Sequence, residues 1–144
     1  DEIAAAILAL LEKQKIVSEG AGAVSVAAAM FDKLPIKGKK VVCLVSGGNI
    51  DVNTLKRVIN RGMATSGRNY TFIIDLVDKP GQLAEVCSVI GRSGGNVLSV
   101  THERINTSTE INGCTVRFEL ETLNREHIDT LRQNLKDAGF KVLN

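Results

Sequence analysis

The order of patterned segments in the second half of the chain constrains the fold most strongly. Apolar and polar residues alternate there in strand-like runs, and two segments with helical spacing separate these runs. The predicted strands are Tyr70–Val77, Asn96–Ile105, Cys114–Glu121 and Phe140–Leu143, and the predicted helices are Gln82–Ser93 and Asn124–Ala138. The resulting β-α-β-β-α-β order predicts an α+β, ferredoxin-like fold, in which two helices cover one face of an antiparallel sheet.

The second face of this sheet is expected to be uncovered. We predict that it carries one member of each of three pairs, Ile73 or Ile74, Val97 or Leu98, and Val116 or Phe118. An exposed apolar face is typical of an interaction surface, so this pattern predicts a partner. A polar loop is expected at Asn106–Gly113, between the second and third strands.

The first half of the chain contains a different kind of strand. Val41–Val45 is a continuous apolar run followed by Ser46-Gly47-Gly48-Asn49, which is typical of a strand buried on both faces of a parallel sheet. No second strand stands beside it in the sequence, although parallel neighbours are required. We therefore interpret residues 1–66 as the closing part of a larger α/β domain. The alternative is that the strand pairs with the edge of the second-half sheet or across a dimer.

Three helices are predicted around this strand. Asp51 is expected to cap the last of them, Gly62 to end it, and Ser66–Asn69 to form a linker. The three helices are Ile3–Lys13, Ala23–Asp32 and Val52–Arg61.

Charge and hydropathy argue against two classes of partner. The chain has 18 basic and 16 acidic residues, a net charge of +2, and no tryptophan. This charge is too small for an electrostatic nucleic-acid footprint. The longest apolar run, Ile3–Leu11, is about half the length that a membrane-spanning helix needs. We therefore expect neither nucleic acid nor membrane as a partner, and a cytoplasmic protein.

The cysteines and histidines are scattered along the chain. Cys43, Cys87 and Cys114 are odd in number and widely separated, so they predict neither a disulfide framework nor a metal site. His102 and His127 have no cysteine, histidine or carboxylate cluster at ligand spacing. We interpret the thiols as packed or idle in a reducing compartment.

Two short segments of the first half resemble a known family. Glu19–Ala23 and Val45–Asp51 are similar to the closing part of the catalytic domain of pyridoxal-phosphate-dependent threonine ammonia-lyases. The resemblance implies that residues 1–66 are part of an α/β domain with the tryptophan synthase β-like fold. It also implies that Ser46 hydrogen-bonds the pyridine nitrogen of pyridoxal 5'-phosphate, with Glu19 and Gly47 beside the ring. The alternatives are ordinary turn chemistry for Ser46 and a loop or capping carboxylate for Glu19.

The same resemblance carries expectations about activity. A hydroxyl does not hold the ring nitrogen protonated as a carboxylate does, which favours expulsion of a β-hydroxyl over a long-lived carbanion. The implied reaction converts L-threonine to 2-oxobutanoate and ammonia, in isoleucine biosynthesis or in catabolism. In the family the Schiff-base lysine and the phosphate loop lie N-terminal to this region. We therefore expect no catalytic residue in this chain, no activity and no bound cofactor when it stands alone.

A motif in the second half resembles ACT domains, which are small ligand-binding modules of amino-acid metabolism. The motif is Asp78-Lys79-Pro80-Gly81-Gln82-Leu83, at a strand-to-helix turn. The free N–H groups of the helix start, at Gly81, Gln82 and Leu83, can hold a carboxylate, and Asp78 can take an ammonium. Asn96 matches a position where many such modules use a side-chain amide. The remaining interpretation is a purely structural turn.

The ACT resemblance implies both a domain boundary and a set of partners. Residues 67–144 would form the ACT regulatory domain, after the catalytic-domain remnant at residues 1–66. The expected effector is isoleucine, valine, serine or threonine, bound between paired modules in a homodimer or tetramer. The alternative function is a free-standing amino-acid-binding or dimerisation module without catalysis.

Overall fold

The computed structural model describes residues 1–104 and 112–144, and it divides the chain into two compact units, Asp1–Gly62 and Met63–Asn144. Each unit has its own buried apolar cluster. Among the described residues, no helix has the length and apolar character needed to cross a membrane.

Three helices build the first unit. Helix α1 spans Glu2–Ala9 and continues as one π-helical turn at Leu10–Gln14, α2 spans Gly20–Met30, and α3 spans Val52–Thr65. The core of this unit consists of residues from α1, its π-helical turn and α2. They are Ala6, Ile7, Leu10, Ala23 and Ala27, and the small side chains of the three alanines let the two helices approach closely.

The two ends of α3 differ in how well the sequence predicted them. Asp51 caps the first turn as predicted, because its Oδ2 accepts the backbone N–H of Thr54 at 2.9 Å. Gly62 was expected to end the helix, and that prediction is wrong, since α3 continues to Thr65. The glycine has another use there. A Cβ at Gly62 would overlap the side chain of Leu8, so the missing side chain allows α1 and α3 to pack.

The predicted doubly buried strand at Val41–Val45 is not a strand in this structure. The segment has no regular secondary structure and no β partner among the described residues. Val42 and Leu44 are 96% and 79% exposed. The other side of the segment lies on α2, where the Ser25 hydroxyl donates to the Leu44 carbonyl at 2.9 Å. The prediction fails because a parallel strand is completed by its neighbours, and the described residues supply none.

The second unit has the predicted ferredoxin-like order. Its elements are β1 (Asn69–Val77), α4 (Gln82–Arg92), β2 (Asn96–Glu103), β3 (Gly113–Glu121), α5 (Arg125–Asp137) and β4 (Lys141–Val142). The strand order is β2-β3-β1-β4, with antiparallel pairing throughout. The fold prediction is therefore confirmed. The predicted end of β2 at Ile105, and most of the predicted loop at Asn106–Gly113, lie outside the described residues.

One face of the sheet packs on the two helices. Alternate residues of β1 and β3 point into this core, as the period of two requires. The fully buried members of the core are Phe72, Ile74, Val86, Ile90, Val116, Phe118, Leu120, Leu131 and Leu135.

The open face of the sheet is mostly polar, which corrects the prediction of an apolar one. Ile74, Val116 and Phe118 lie in the core, and Val97 packs against it. Ile73 alternates with them onto the open face. Charged and hydroxyl side chains share that face, which therefore needs no apolar partner. They are Thr71, Asp75, Arg117, Glu119 and Lys141, with Lys141 Nζ 3.1 Å from Asp75 Oδ2.

The segment expected to be a linker is instead tied to the second unit. Gly67 is buried with a φ of 71°, and its carbonyl accepts the Thr122 hydroxyl at 2.6 Å. The N–H of Thr122 donates to the Arg68 carbonyl at 2.7 Å. The division between the compact units falls after Gly62, a few residues before the predicted boundary.

Candidate functional site

The strand-to-helix turn after β1 is open to solvent. Asp78 donates its backbone N–H to the Asn112 carbonyl at 2.8 Å, which ties the turn to the start of β3. Gly81 has a φ of 92°, and no heavy atom lies within 4 Å of the position that a Cβ would occupy. No side chain caps α4, so the N–H groups of its first turn, at Gln82 and Leu83, have no intrahelical acceptor. The Gln82 N–H makes a long hydrogen bond of 3.5 Å to the Lys79 carbonyl. The helix dipole and these donors favour an anion.

The carboxylate of Asp78 already has two basic side chains beside it. Its Oδ2 lies 3.0 Å from Nε of Arg104, and its Oδ1 lies 4.0 Å from Nε2 of His102. The Asp78 and Arg104 side chains are 37% and 69% exposed, so their ion pair contributes at most about 1 kcal/mol. A ligand ammonium can therefore replace Arg104 at little cost.

Asn96 stands far from this turn within one chain. It begins β2 opposite Glu121, and its amide donates to Glu121 Oε2 at 2.7 Å. Because β1 and β2 are both antiparallel to β3, they run in the same direction. Asp78 follows the end of β1, so nearly the length of β2 separates the two, roughly 25 Å at about 3.3 Å per residue. A site containing both Asp78 and Asn96 therefore requires two copies of the chain.

A group of side chains that the sequence did not connect lies at the Asp78 end of the sheet. Ligand-type atoms of Asp78, His102 and Cys114 all lie within 4.8 Å of one another. The prediction that His102 has no such neighbours is wrong, because strand register and not sequence spacing brings the three together. Burial raises the pKa of the Cys114 thiol, and the nearby negative charge of Asp78 raises it further.

The three residues expected beside the cofactor ring also meet in the structure. The N–H of Glu19 donates to the Gly47 carbonyl at 3.1 Å. A Cβ on Gly47, whose φ is 81°, would stand 2.6 Å from Glu19 Oε1, so glycine permits the contact. Ser46 is exposed, and its carbonyl lies against Gly22 in the first turn of α2. The Ser46 hydroxyl thus lies next to a glycine that contacts Glu19, and a hydroxyl and a carboxylate are polar groups that fit the edge of a pyridine ring.

Comparisons with known proteins find similarity to both halves of the chain. The ACT domain model matches residues 70–138. An L-threonine ammonia-lyase of Thermotoga maritima is 45% identical over 142 residues, which cover 99% of this chain and 35% of that protein. The L-threonine ammonia-lyase of Geobacter sulfurreducens is 41% identical, with the same coverage of 99% and 35%.

A more distant relative is also matched over nearly the whole of this chain. The biosynthetic L-threonine dehydratase of Staphylococcus saprophyticus is 32% identical over 136 residues, covering 94% of this chain and 31% of that protein. The chain thus spans about one third of the length of these relatives. The resemblance to threonine ammonia-lyases and to ACT domains, inferred above from short motifs, is confirmed.

Proposed function

Because this chain carries an ACT domain and is similar over nearly its whole length to part of L-threonine ammonia-lyases, we propose that it is the regulatory part of such an enzyme. Residues 67–144 bind an amino-acid effector, and residues 1–66 complete the pyridoxal-phosphate domain. The observation that carries the proposal is the open turn at Asp78–Leu83, where a carboxylate stands beside the uncapped start of α4.

The effector site forms between two copies of the chain. Strand β2 is an edge strand, and its Leu98 and Val100 are 50% and 40% exposed. Such an edge is a template for pairing with another chain. Two-fold, antiparallel pairing of β2 edges would bring Asn96 of one copy to the sheet end that carries Asp78 of the other. This geometry supports a homodimer, or a tetramer built from two such dimers.

Each part of an amino acid has a matching group in this site. The α-carboxylate binds the first-turn N–H groups of α4, that of Leu83 directly and that of Gln82 in place of its 3.5 Å hydrogen bond to the Lys79 carbonyl. The ammonium binds Asp78 in place of Arg104. Asn96 of the second copy donates its amide to the carboxylate. The effector is isoleucine, valine, serine or threonine.

The first unit supports a role within a larger α/β domain. Val42 and Leu44 present apolar side chains to solvent on a segment that has no β partner among the described residues. Val52, at the start of α3, is likewise 78% exposed. Leu55 and Ile59, with Val52, line a shallow cavity of about 210 Å³. Neighbouring strands and helices of the longer protein cover both surfaces.

Pyridoxal 5'-phosphate, when bound by that longer protein, supplies the electron sink for cleavage of the Cα–H and Cβ–O bonds of L-threonine. The Ser46 hydroxyl would hydrogen-bond the ring nitrogen without fully protonating it. Gly47 keeps the turn close to Glu19, whose carboxylate would lie near the ring. The overall reaction yields 2-oxobutanoate and ammonia, and the Schiff-base lysine comes from the part of the enzyme that precedes this chain.

Ligand titration tests the effector site. The chain is titrated with L-isoleucine, L-valine, L-serine and L-threonine in the presence of a metal chelator, with D-isoleucine as the ligand control. Tyr70 is the single tyrosine and lies in the second unit, so its fluorescence follows unfolding of that unit. At a ligand concentration of 100 Kd the free energy of unfolding should rise by about 2.7 kcal/mol.

Three variants make the test specific. Asp78→Asn and Asn96→Ala should each weaken binding at least about tenfold, by loss of a charged or hydrogen-bonding partner. Asp129→Asn, an exposed aspartate on α5 outside the site, should leave binding unchanged. Failure of all four L-amino acids to shift the unfolding midpoint would refute the proposed site. Unchanged binding by Asn96→Ala would refute its two-copy form.

The alternative is a free-standing amino-acid-binding or dimerisation module without catalysis. In its favour, Asp1–Gly62 has a buried cluster of its own. Hydrogen exchange separates the two proposals. Fast exchange of the amides of Val41–Val45 in this chain, and slow exchange in the full-length enzyme, supports the enzyme part. Slow exchange in the isolated monomer supports the module.

A further inference from the structure

Three strands bring chemically different side chains to one end of the sheet. Asp78 follows the last residue of β1, His102 is near the end of β2, and Cys114 is near the start of β3. Cys114 pairs with Leu76 across β1, while His102 pairs with Val116, two residues further along β3. His102 and Cys114 are therefore diagonal neighbours on the same sheet face, close enough for their side chains to meet.

We propose that Asp78, His102 and Cys114 form a zinc-binding site. Imidazole nitrogen, thiolate sulfur and carboxylate oxygen are the ligands that zinc uses in proteins, at about 2.0–2.3 Å from the ion. The ligand-type atoms lie within 4.8 Å of one another. At these metal–ligand distances, two ligand atoms of a tetrahedral ion lie roughly 3.3–3.8 Å apart. Side-chain rotations that move the ligand atoms by about 1 Å therefore complete the site.

The charges around the cluster suit a dication. One carboxylate and one thiolate neutralise Zn²⁺, with His102 as a neutral ligand. Arg104 holds Oδ2 of Asp78 at 3.0 Å and leaves Oδ1, the oxygen nearer His102, for the metal. Such an outer contact orients a ligating carboxylate. Three protein ligands leave a fourth position open, on the side where Asp78 and His102 meet solvent.

Binding converts a thiol into a metal thiolate and releases one proton to the solvent. Cys114 is 2% exposed, so the sulfur is reached only from the side of Asp78 and His102. Metal and proton therefore compete for the sulfur, and zinc affinity should increase with pH. Zinc binding requires neither an amino-acid effector nor the cofactor of the longer enzyme, although this site shares Asp78 with the effector site proposed above.

Cobalt titration of the full chain, without amino acids, tests the site. We expect one equivalent of Co²⁺ to produce a thiolate-to-cobalt charge-transfer absorption, and one equivalent of Zn²⁺ to remove it. Cys114→Ser should abolish the band. His102→Asn and Asp78→Asn should weaken zinc binding about 100-fold or more, because losing even an outer-shell partner typically costs 10–100-fold. Cys87→Ser, a half-buried cysteine on α4, is the matched control and should keep the band.

The variants also separate metal binding from folding. His102 has a side chain 29% exposed on an edge strand, so His102→Asn should keep the thermal midpoint of the metal-free protein. If Cys114→Ser fails to fold, His102→Asn therefore still tests the site. The proposal is overturned if the wild type gives no band, if Cys87→Ser loses it, or if His102→Asn binds zinc as tightly as the wild type. None of these outcomes depends on the amino-acid titration, which is performed with chelator.

Discussion

Replacing Gly67 by alanine should destabilise the second unit by an amount that the structure allows us to divide into two parts. Gly67 has a φ of 71°, in the left-handed region where a Cβ costs about 1–2 kcal/mol. A Cβ there would also stand 2.7 Å from the backbone nitrogen of Arg125 and 3.0 Å from the carbonyl carbon of Asn124. Backbone atoms cannot move aside as a side chain can, which adds about 1–3 kcal/mol of overpacking. The expected total is about 2–5 kcal/mol.

Two other glycines of the same unit isolate these two parts. Gly139 has a φ of 87° with nothing within 4 Å of its Cβ position, so Gly139→Ala should cost only the left-handed term of about 1–2 kcal/mol. Gly91 lies inside α4 with an open Cβ position. Gly91→Ala should therefore stabilise the unit by about 0.5–1 kcal/mol, because glycine weakens a helix interior relative to alanine.

Tyr70 fluorescence measures these effects in one unit of the chain. The sequence has one tyrosine and no tryptophan. The Tyr70 ring packs edge-on to Phe72 at a centroid distance of 4.8 Å, and its hydroxyl accepts a hydrogen bond from Arg132 at 2.8 Å. Unfolding of the second unit therefore changes its emission, independently of the first unit. For a domain of this size, each 1 kcal/mol should move the midpoint by about 4–8 °C.

The order of stabilities is the decisive result. We expect Gly91→Ala above the wild type, Gly139→Ala below it, and Gly67→Ala lowest. Equal midpoints for Gly67→Ala and Gly139→Ala would refute the close approach between Gly67 and the start of α5. Equal midpoints for all three variants would refute the conformational argument as well.

Three further predictions use the same chain. Asn124→Ala should cost about 1 kcal/mol by Tyr70 fluorescence, because its Oδ1 accepts the His127 N–H at 2.8 Å and caps α5; an unchanged midpoint would contradict the cap. Because the Cys114 pKa is raised above 9.0, its contribution to stability is full below pH 9 and is lost as the pH rises further. In urea unfolding of chelator-treated protein, Cys114→Ala should therefore lose less stability than the wild type as the pH rises above 9. An equal loss in the variant and the wild type would contradict this. Val42→Lys, at a side chain 96% exposed, should change the unfolding midpoint by less than about 0.5 kcal/mol and reduce light scattering, whereas a large loss would indicate that Val42 is buried.

The fold of the second unit was predictable because its signals are local and agree with one another. Alternation in β1 and β3, the turn at Asp78–Gly81 and the cap at Asn124 each specify the same order of elements. The polarity of the open face was harder to predict from the sequence, since both Ile73 and Ile74 lie in β1. Only the register decides which of the two enters the core.

Gly62 and Gly67 show where sequence reasoning about glycine fails. Both positions invite interpretation as helix end or linker, because glycine favours such places. In the structure each glycine serves a close approach instead, of Leu8 to Gly62 and of Arg125 to Gly67. These neighbours are distant in sequence, so no local pattern contains the information. The meeting of Asp78 with His102 and Cys114 was hidden for the same reason.

Val41–Val45 is the opposite case, a local signal without its tertiary partner. Burying a valine or leucine side chain fully stabilises a protein by about 1.5–3 kcal/mol, and both Val42 and Leu44 forgo most of this here. The backbone of the segment forms no β ladder in the described structure, although the Ser25 hydroxyl of α2 already donates to the Leu44 carbonyl. A segment held on one side, with the apolar side chains of its other side exposed, has room for a neighbouring strand. Addition of the preceding part of a threonine ammonia-lyase should therefore slow amide exchange here more than anywhere in Met63–Asn144, and equal slowing in both regions would contradict this.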